Sequence, residues 1–179
     1  AMGETAALAR LCRYLLSHID GLGEIELPEP AAVLIEKALP IASAREYCWK
    51  SAANLREEYR EKVYSQWPVK LLAVDKGAAE QLLRAVEALC LRGIESARRP
   101  GLPLIHSYFQ RDGKVEAEKD GSLDPGRVKA ESLPLFLETQ IHLLRLATSR
   151  DEARSIYNAI KESPLRDHKL GTYVLNDDL

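Results

Sequence analysis

The sequence predicts a mostly α fold: about six helices in antiparallel pairs, as a helical bundle or part of a toroid, with a minor hairpin-like β element. Three observations predict it. Apolar residues recur at three- and four-residue spacing over most of the 179 residues. Proline and glycine fall between these runs. The connections between the early runs are short, which favours antiparallel neighbours.

The elements follow in order. From Thr5 to Asp20, Leu8, Leu11, Cys12, Leu15 and Ile19 form one helical stripe, and Gly21 and Gly23 end it. Glu24 to Leu27 is an extended link. Pro28 and Pro30 open a second helix, where a first-turn proline loses no hydrogen bond; it carries Val33, Leu34 and Ala38 and is expected to stop at Pro40. Ser43 and Glu46 have capping-box spacing, each able to satisfy a free backbone amide. The helix behind them is expected to reach Trp67, with Cys48, Ala52, Leu55, Tyr59 and Val63 on one side and dense charge on the other. Asp75 to Arg98 is the fourth, its core face running through Ala79, Leu82, Leu83, Val86, Cys90, Ile94 and Ala97.

The stretch from Leu102 to Lys129 has no helical period and is the candidate binding loop, since long irregular connections in compact domains often bind. Lys114 to Glu118 alternates as a half-buried strand would. Thr172 to Leu175 also has strand character, and an unpaired edge is a liability, so the two are expected to pair as a small antiparallel ladder. Leu133 to Ala147 and Arg150 to Glu162 are the last helices, the second capped by Ser149 and ended by Pro164. The strand-like run at the C-terminus reads as an unfinished element, as in a piece of a larger protein.

Composition narrows function by exclusion. One domain is the default at this length, with room for two small helical lobes. A formal charge of -2 gives no electrostatic case for nucleic acid or an anionic membrane. No apolar run reaches the roughly 20 residues of a membrane span, and the start lacks a signal-peptide pattern. Cys12, Cys48 and Cys90 all fall on apolar stripes and read as buried thiols of a reducing compartment, so the cytoplasm is expected.

Catalytic constellations are thin. His18, His106, His142 and His168 share no ligand spacing, so no metal is expected. Gly21-Leu22-Gly23 lacks the third glycine and the preceding strand of a phosphate loop, so no cofactor is expected either. Glu138, His142 and Arg145 share one narrow stripe, a grouping suited to acid–base work or an anion clamp; the same stripe serves equally as the wet face of its helix. His106 and Tyr108 lie with Ser107 and Phe109 beyond Pro-Gly-Leu-Pro-Leu, a composition suited to stacking a sugar and binding its hydroxyls. Asp177 and Asp178 read as a solvated acidic pair. Tyr47, Tyr59, Tyr64 and Trp67 accompany the third helix and would anchor a protein partner if exposed.

Three pieces carry a family likeness: Leu104-Ile-His-Ser-Tyr-Phe109, Leu135-Phe-Leu-Glu-Thr-Gln-Ile141, and Ser163-Pro-Leu-Arg-Asp-His168 running on to Gly171 and Asp178. Together they resemble a segment of large bacterial (α/α)6-toroid proteins, distantly similar to the inverting disaccharide phosphorylases of the cellobiose phosphorylase kind. The resemblance implies a carbohydrate-associated helical domain, part of or derived from such an enzyme, with His106, Tyr108, Glu138, His142 and Arg145 toward saccharide. Phosphorylases of that kind carry Asp-Trp-Asn-Asp-Gly after Gly-Leu-Pro-Leu; here Phe109 stands at the catalytic aspartate and only Asp112-Gly113 match. The alternative is a non-enzymatic helical module that docks on a protein.

Overall fold

The computed structural model describes residues 1–65, 70–112 and 129–176. Among them the fold is mostly helical: α1 (Met2–His18), α2 (Glu29–Ser43), α3 (Trp49–Ser65), α4 (Lys76–Ser96), α5 (Leu137–Leu146) and α6 (Arg150–Glu162). Three antiparallel strand pairs accompany them: β1 (Ile25–Pro28) with β2 (Leu71–Val74), β3 (Phe109–Asp112) with β4 (Lys129–Ser132), and β5 (Arg166–Asp167) with β6 (Thr172–Tyr173). The described residues gather into two compact units, one of residues 1–11, 90–112 and 129–176, the other of residues 12–65 and 70–89.

The second unit is a β-α-α-β arrangement. The expected link at Glu24 to Leu27 is in fact a strand, its Ile25 opposite Val74 and its Pro28 opposite Leu71. Pro30 sits buried in the first turn of α2, where its missing N–H costs nothing. Pro40 does not end that helix, which continues to Ser43. This close to the C-terminus a proline sacrifices a single intrahelical bond, and Ala44 N–H closes the end on Ile41 O at 3.4 Å. The capping box expected at Ser43 and Glu46 does not form, because Ser43 is still helical and α3 starts only at Trp49. Lys37 of α2 meets Glu58 of α3 at 2.5 Å. Cys48, expected to be buried, is exposed in the connection ahead of α3. Trp67 lies outside the described residues. Asp75 caps α4, its Oδ2 accepting from Ala78 N–H at 2.7 Å.

In the first unit α4 runs out into a tight reversal. Leu102 N–H donates to Arg99 O at 3.1 Å across Pro100-Gly101, and Gly101 has φ +75°. Proline followed by a left-handed glycine is the chemistry of a type II turn. The returning segment pairs with the end of α4: Arg99 N–H donates to Leu104 O at 2.8 Å and His106 N–H to Ala97 O at 2.9 Å. Leu104 and Ile105 are completely buried there. The helix expected from Leu133 begins instead at Leu137, because Pro134 holds the residue before it extended and Phe136 stays extended, bridging Asn176. Ser149 caps α6 as expected, its Oγ accepting from Glu152 N–H at 3.1 Å. At the C-terminus Thr172 and Tyr173 pair with Asp167 and Arg166; Lys114 to Glu118, the partner expected for them, lie outside the described residues.

The stripe expected on α1 is split. Its Cys12 and Ile19 are buried along with Ala6 and Ala9, yet its Leu8, Leu11 and Leu15 are 44%, 49% and 40% exposed. Small side chains let a helix approach its neighbours closely, so the smooth face goes inward. Gly3 shows the approach directly: a Cβ there would come within 3.3 Å of Thr139 Oγ1 and 3.4 Å of His142 Cδ2.

Candidate functional site

Of the residues expected to meet saccharide, His106 lies within the 104–107 segment and Tyr108 directly follows it. Gln140 holds that segment in place. Its side chain is completely buried, its Oε1 accepts from Ile105 N–H at 3.1 Å, and its Nε2 donates to Ile105 O at 2.8 Å and to Phe136 O at 3.1 Å. The carboxamide thus pairs with a peptide group as a neighbouring strand would. Beside it the buried hydroxyls of Ser107 and Thr139 hydrogen-bond to each other. Sequence reasoning passed over Gln140 and Thr139. The available signal was a polar pair on α5 lying off the Glu138–His142–Arg145 stripe.

His106 is half-buried, its Nδ1–H donating to Leu133 O at 2.9 Å, so the neutral ring keeps its lone pair on Nε2. Tyr108 is 42% exposed and meets Phe136 edge-on at 4.9 Å between ring centroids. Phe109 is also exposed, its ring edge-on to His106 at 6.3 Å. The rings thus form two separate pairs at the start of β3, His106 with Phe109 and Tyr108 with Phe136. The α5 stripe does not converge in the same way. Glu138 and Arg145 are exposed, His142 is half-buried where it approaches Gly3, and no hydrogen bond or ion pair joins the three. Asp177 and Asp178 lie outside the described residues. Among the described residues, no three His, Cys, Asp or Glu side chains converge as metal ligands would.

In the second unit a cavity of about 240 Å³ opens between α2 and α3, lined by Leu34, Ala38, Ile41, Leu55 and Tyr59, with Arg56 at its side. The ion pair with Lys37, reinforced by Lys62, holds the Glu58 carboxyl below its usual range. Its small, salt-screened contribution is present above the ordinary glutamate pKa and lost as pH falls through the lowered one. Cys12 is displaced the other way. Burial, then the nearby Glu87 carboxylate, pushes its thiol up, so it stays protonated and unreactive. Glu87 is itself held by Arg13 at 2.5 Å.

The outward face of α1 is the remaining candidate. Leu8, Leu11 and Leu15 form one stripe, with Tyr14 alongside and its ring tilted against His18 at 4.3 Å between centroids. Tyr64, near the end of α3, is 83% exposed. No helix among the described residues is long and apolar enough to cross a membrane. No protein-family model matches the chain, and a search of the curated proteins returns no match.

Proposed function

We propose that this chain is a non-enzymatic helical interaction module that docks a protein partner through the outward face of α1. The supporting observation is the inversion of that helix, with alanines inward and leucines outward. Burying a leucine is worth about 2 kcal/mol, so three half-exposed ones forgo roughly 3 kcal/mol that a partner's apolar surface would recover. Tyr14, exposed beside the stripe, supplies an aromatic anchor of the kind interfaces favour. The reading takes the cytoplasm as its compartment, on the support that Cys12, Cys48 and Cys90 form no disulfide. The test charges the face. In submicromolar protein, Leu8→Lys/Leu15→Lys is expected to leave the urea midpoint within about 0.5 kcal/mol of the parent. A loss of several kcal/mol would place those leucines in the core and end the proposal.

A second reading keeps the toroid resemblance and takes the chain as a carbohydrate-associated domain. The pairing of His106 with exposed Phe109, next to exposed Tyr108 in the chain, supports it, since aromatic rings stack on the apolar face of a sugar while imidazole binds hydroxyls. Glu138, His142 and Arg145 would extend that surface along α5. Titration with glucose, cellobiose and short β-glucans is expected to move the NMR resonances of Tyr108 and His106. Unmoved resonances in all three titrations remove this reading and leave the first intact.

A further inference from the structure

We infer that the cavity between α2 and α3 binds a small apolar carboxylate, an unbranched acyl chain of about eight carbons ending in a free carboxyl group. The inference goes beyond the docking reading and is independent of it. The described residues of the wall belong to α2, α3, their connection and α4, and none to α1.

The space has a cause in the sequence. Ala38 and Ala42 lie one turn apart on α2, and Ala52 lies in the first turn of α3. Packed helices fill the gap between them with side chains, and three methyl groups on this wall leave a space of about 240 Å³. Leu34, Ile41 and Leu55 line it and stay half-buried, as does Leu89 of α4. Water over such a wall is displaced with gain by an apolar chain.

Size selects the length of that chain. Drug-sized ligands occupy pockets from about 300 Å³ upward, whereas about 150 Å³ accepts a single benzene ring. At about 30 Å³ for a group the size of a water or a methylene, the cavity holds about eight carbons.

Charge selects the head group. Among the described residues of the wall, Arg56 is the one charged side chain. Its Nε meets Glu57 Oε1 at 2.9 Å, and its two Nη groups have no partner among the described residues. Such a pair of donors matches the two oxygens of a carboxylate. Glu57 does not neutralise the position, because it is shared with Arg60, whose Nη1 lies 3.5 Å away. Glu58, the next carboxylate along α3, is taken by Lys37 and Lys62. An anionic head therefore meets net positive charge at Arg56, and a cationic head meets repulsion.

Calorimetric titration of the full chain with sodium octanoate, 1-octanol and octylammonium at neutral pH tests both selections. Octanoate is expected to bind with a dissociation constant on the order of 100 μM. It is expected to bind about fivefold more tightly than 1-octanol, with octylammonium weakest. Hexanoate is expected to lose about fourfold for each methylene removed, and dodecanoate to gain nothing over decanoate. The ring resonances of Tyr47 and Tyr59, which line the cavity, are expected to shift with octanoate. Arg56→Met, at an exposed position that leaves the fold intact, is expected to bring octanoate and octanol within twofold of each other. Ala38→Leu/Ala52→Leu fills the space from both helices and is expected to abolish binding of either, with the circular dichroism of the parent.

Absence of binding by every chain up to about 5 mM overturns the site. Octanoate shifts at Leu8 and Leu15 in place of Tyr47 and Tyr59 also overturn it, by placing the chain on α1. Octanol binding as tightly as octanoate, or Arg56→Met leaving the preference unchanged, overturns the carboxylate assignment.

Discussion

Replacing Gln140 with leucine is expected to cost about 3 kcal/mol of unfolding free energy, the largest effect of any single substitution considered. The two side chains are close in volume, so the loss is not a cavity. It comes from the peptide group of Ile105, whose N–H and C=O both bond the carboxamide inside a site with no exposure. Leucine offers neither a donor nor an acceptor, and each group stranded without water costs roughly 1–3 kcal/mol. Phe136 O loses a further bond. Urea denaturation followed by circular dichroism measures it, with Ile141→Gln, one residue along but exposed, as a control near zero. A loss under about 1 kcal/mol would mean that the 104–107 segment is held by something other than Gln140.

Ending the chain at Gly171 is expected to cost about 2–3 kcal/mol. The removed segment is tied on two sides. Val174 N–H donates to Leu165 O at 2.9 Å, and Leu175 O accepts from Leu137 N–H at 2.8 Å. The second bond satisfies a first-turn donor of α5 that has no partner within its own helix. Truncation also removes the Arg166–Tyr173 pairing and the Phe136–Asn176 bridge. Leu165, completely buried, anchors the near side. An unchanged melting curve for the truncated chain would contradict this account of the terminus.

The helices were legible because a 3.6-residue period is written locally, and α4 and α6 each carry their own cap in Asp75 and Ser149. What the period could not say was which apolar stripe of α1 faces inward. Leucine outweighs alanine on any hydrophobicity scale, so the sequence favours Leu8, Leu11 and Leu15. Close packing at Gly3, Ala6 and Ala9 rewards the smaller side chains, and that contact belongs to the tertiary structure. The β1–β2 pair was missed for a related reason: two helices separate Leu27 from its partner Leu72, and nothing local marks so distant a register. The C-terminal strand found a nearer partner than expected. Asp167 Oδ1 accepts from Lys169 and Leu170 N–H, and Gly171 turns at φ +69°, so Thr172 returns onto Asp167 through a short, inexpensive loop.

Of the candidate site, His106 and Tyr108 lie near one another only because they are two residues apart in one segment. Glu138, His142 and Arg145 share a helical stripe, but a shared stripe does not bring side chains into contact. Glu138 and Arg145 point into solvent, whereas His142 is drawn against α1. The residues that organise the region, Gln140 and Thr139, bond backbone and hydroxyl groups distant in sequence. Such partners leave no spacing signature.

The central claim is that α1 turns its leucines outward as a docking face, and two variants of that one helix test it most directly. Urea midpoints are compared for Leu8→Lys/Leu15→Lys and for Ala9→Leu. The account predicts an unchanged midpoint for the first. It predicts a loss of about 1–3 kcal/mol for the second, where three extra carbons must enter a fully buried contact. The opposite order, with the lysines destabilising and the added leucine tolerated, would contradict it.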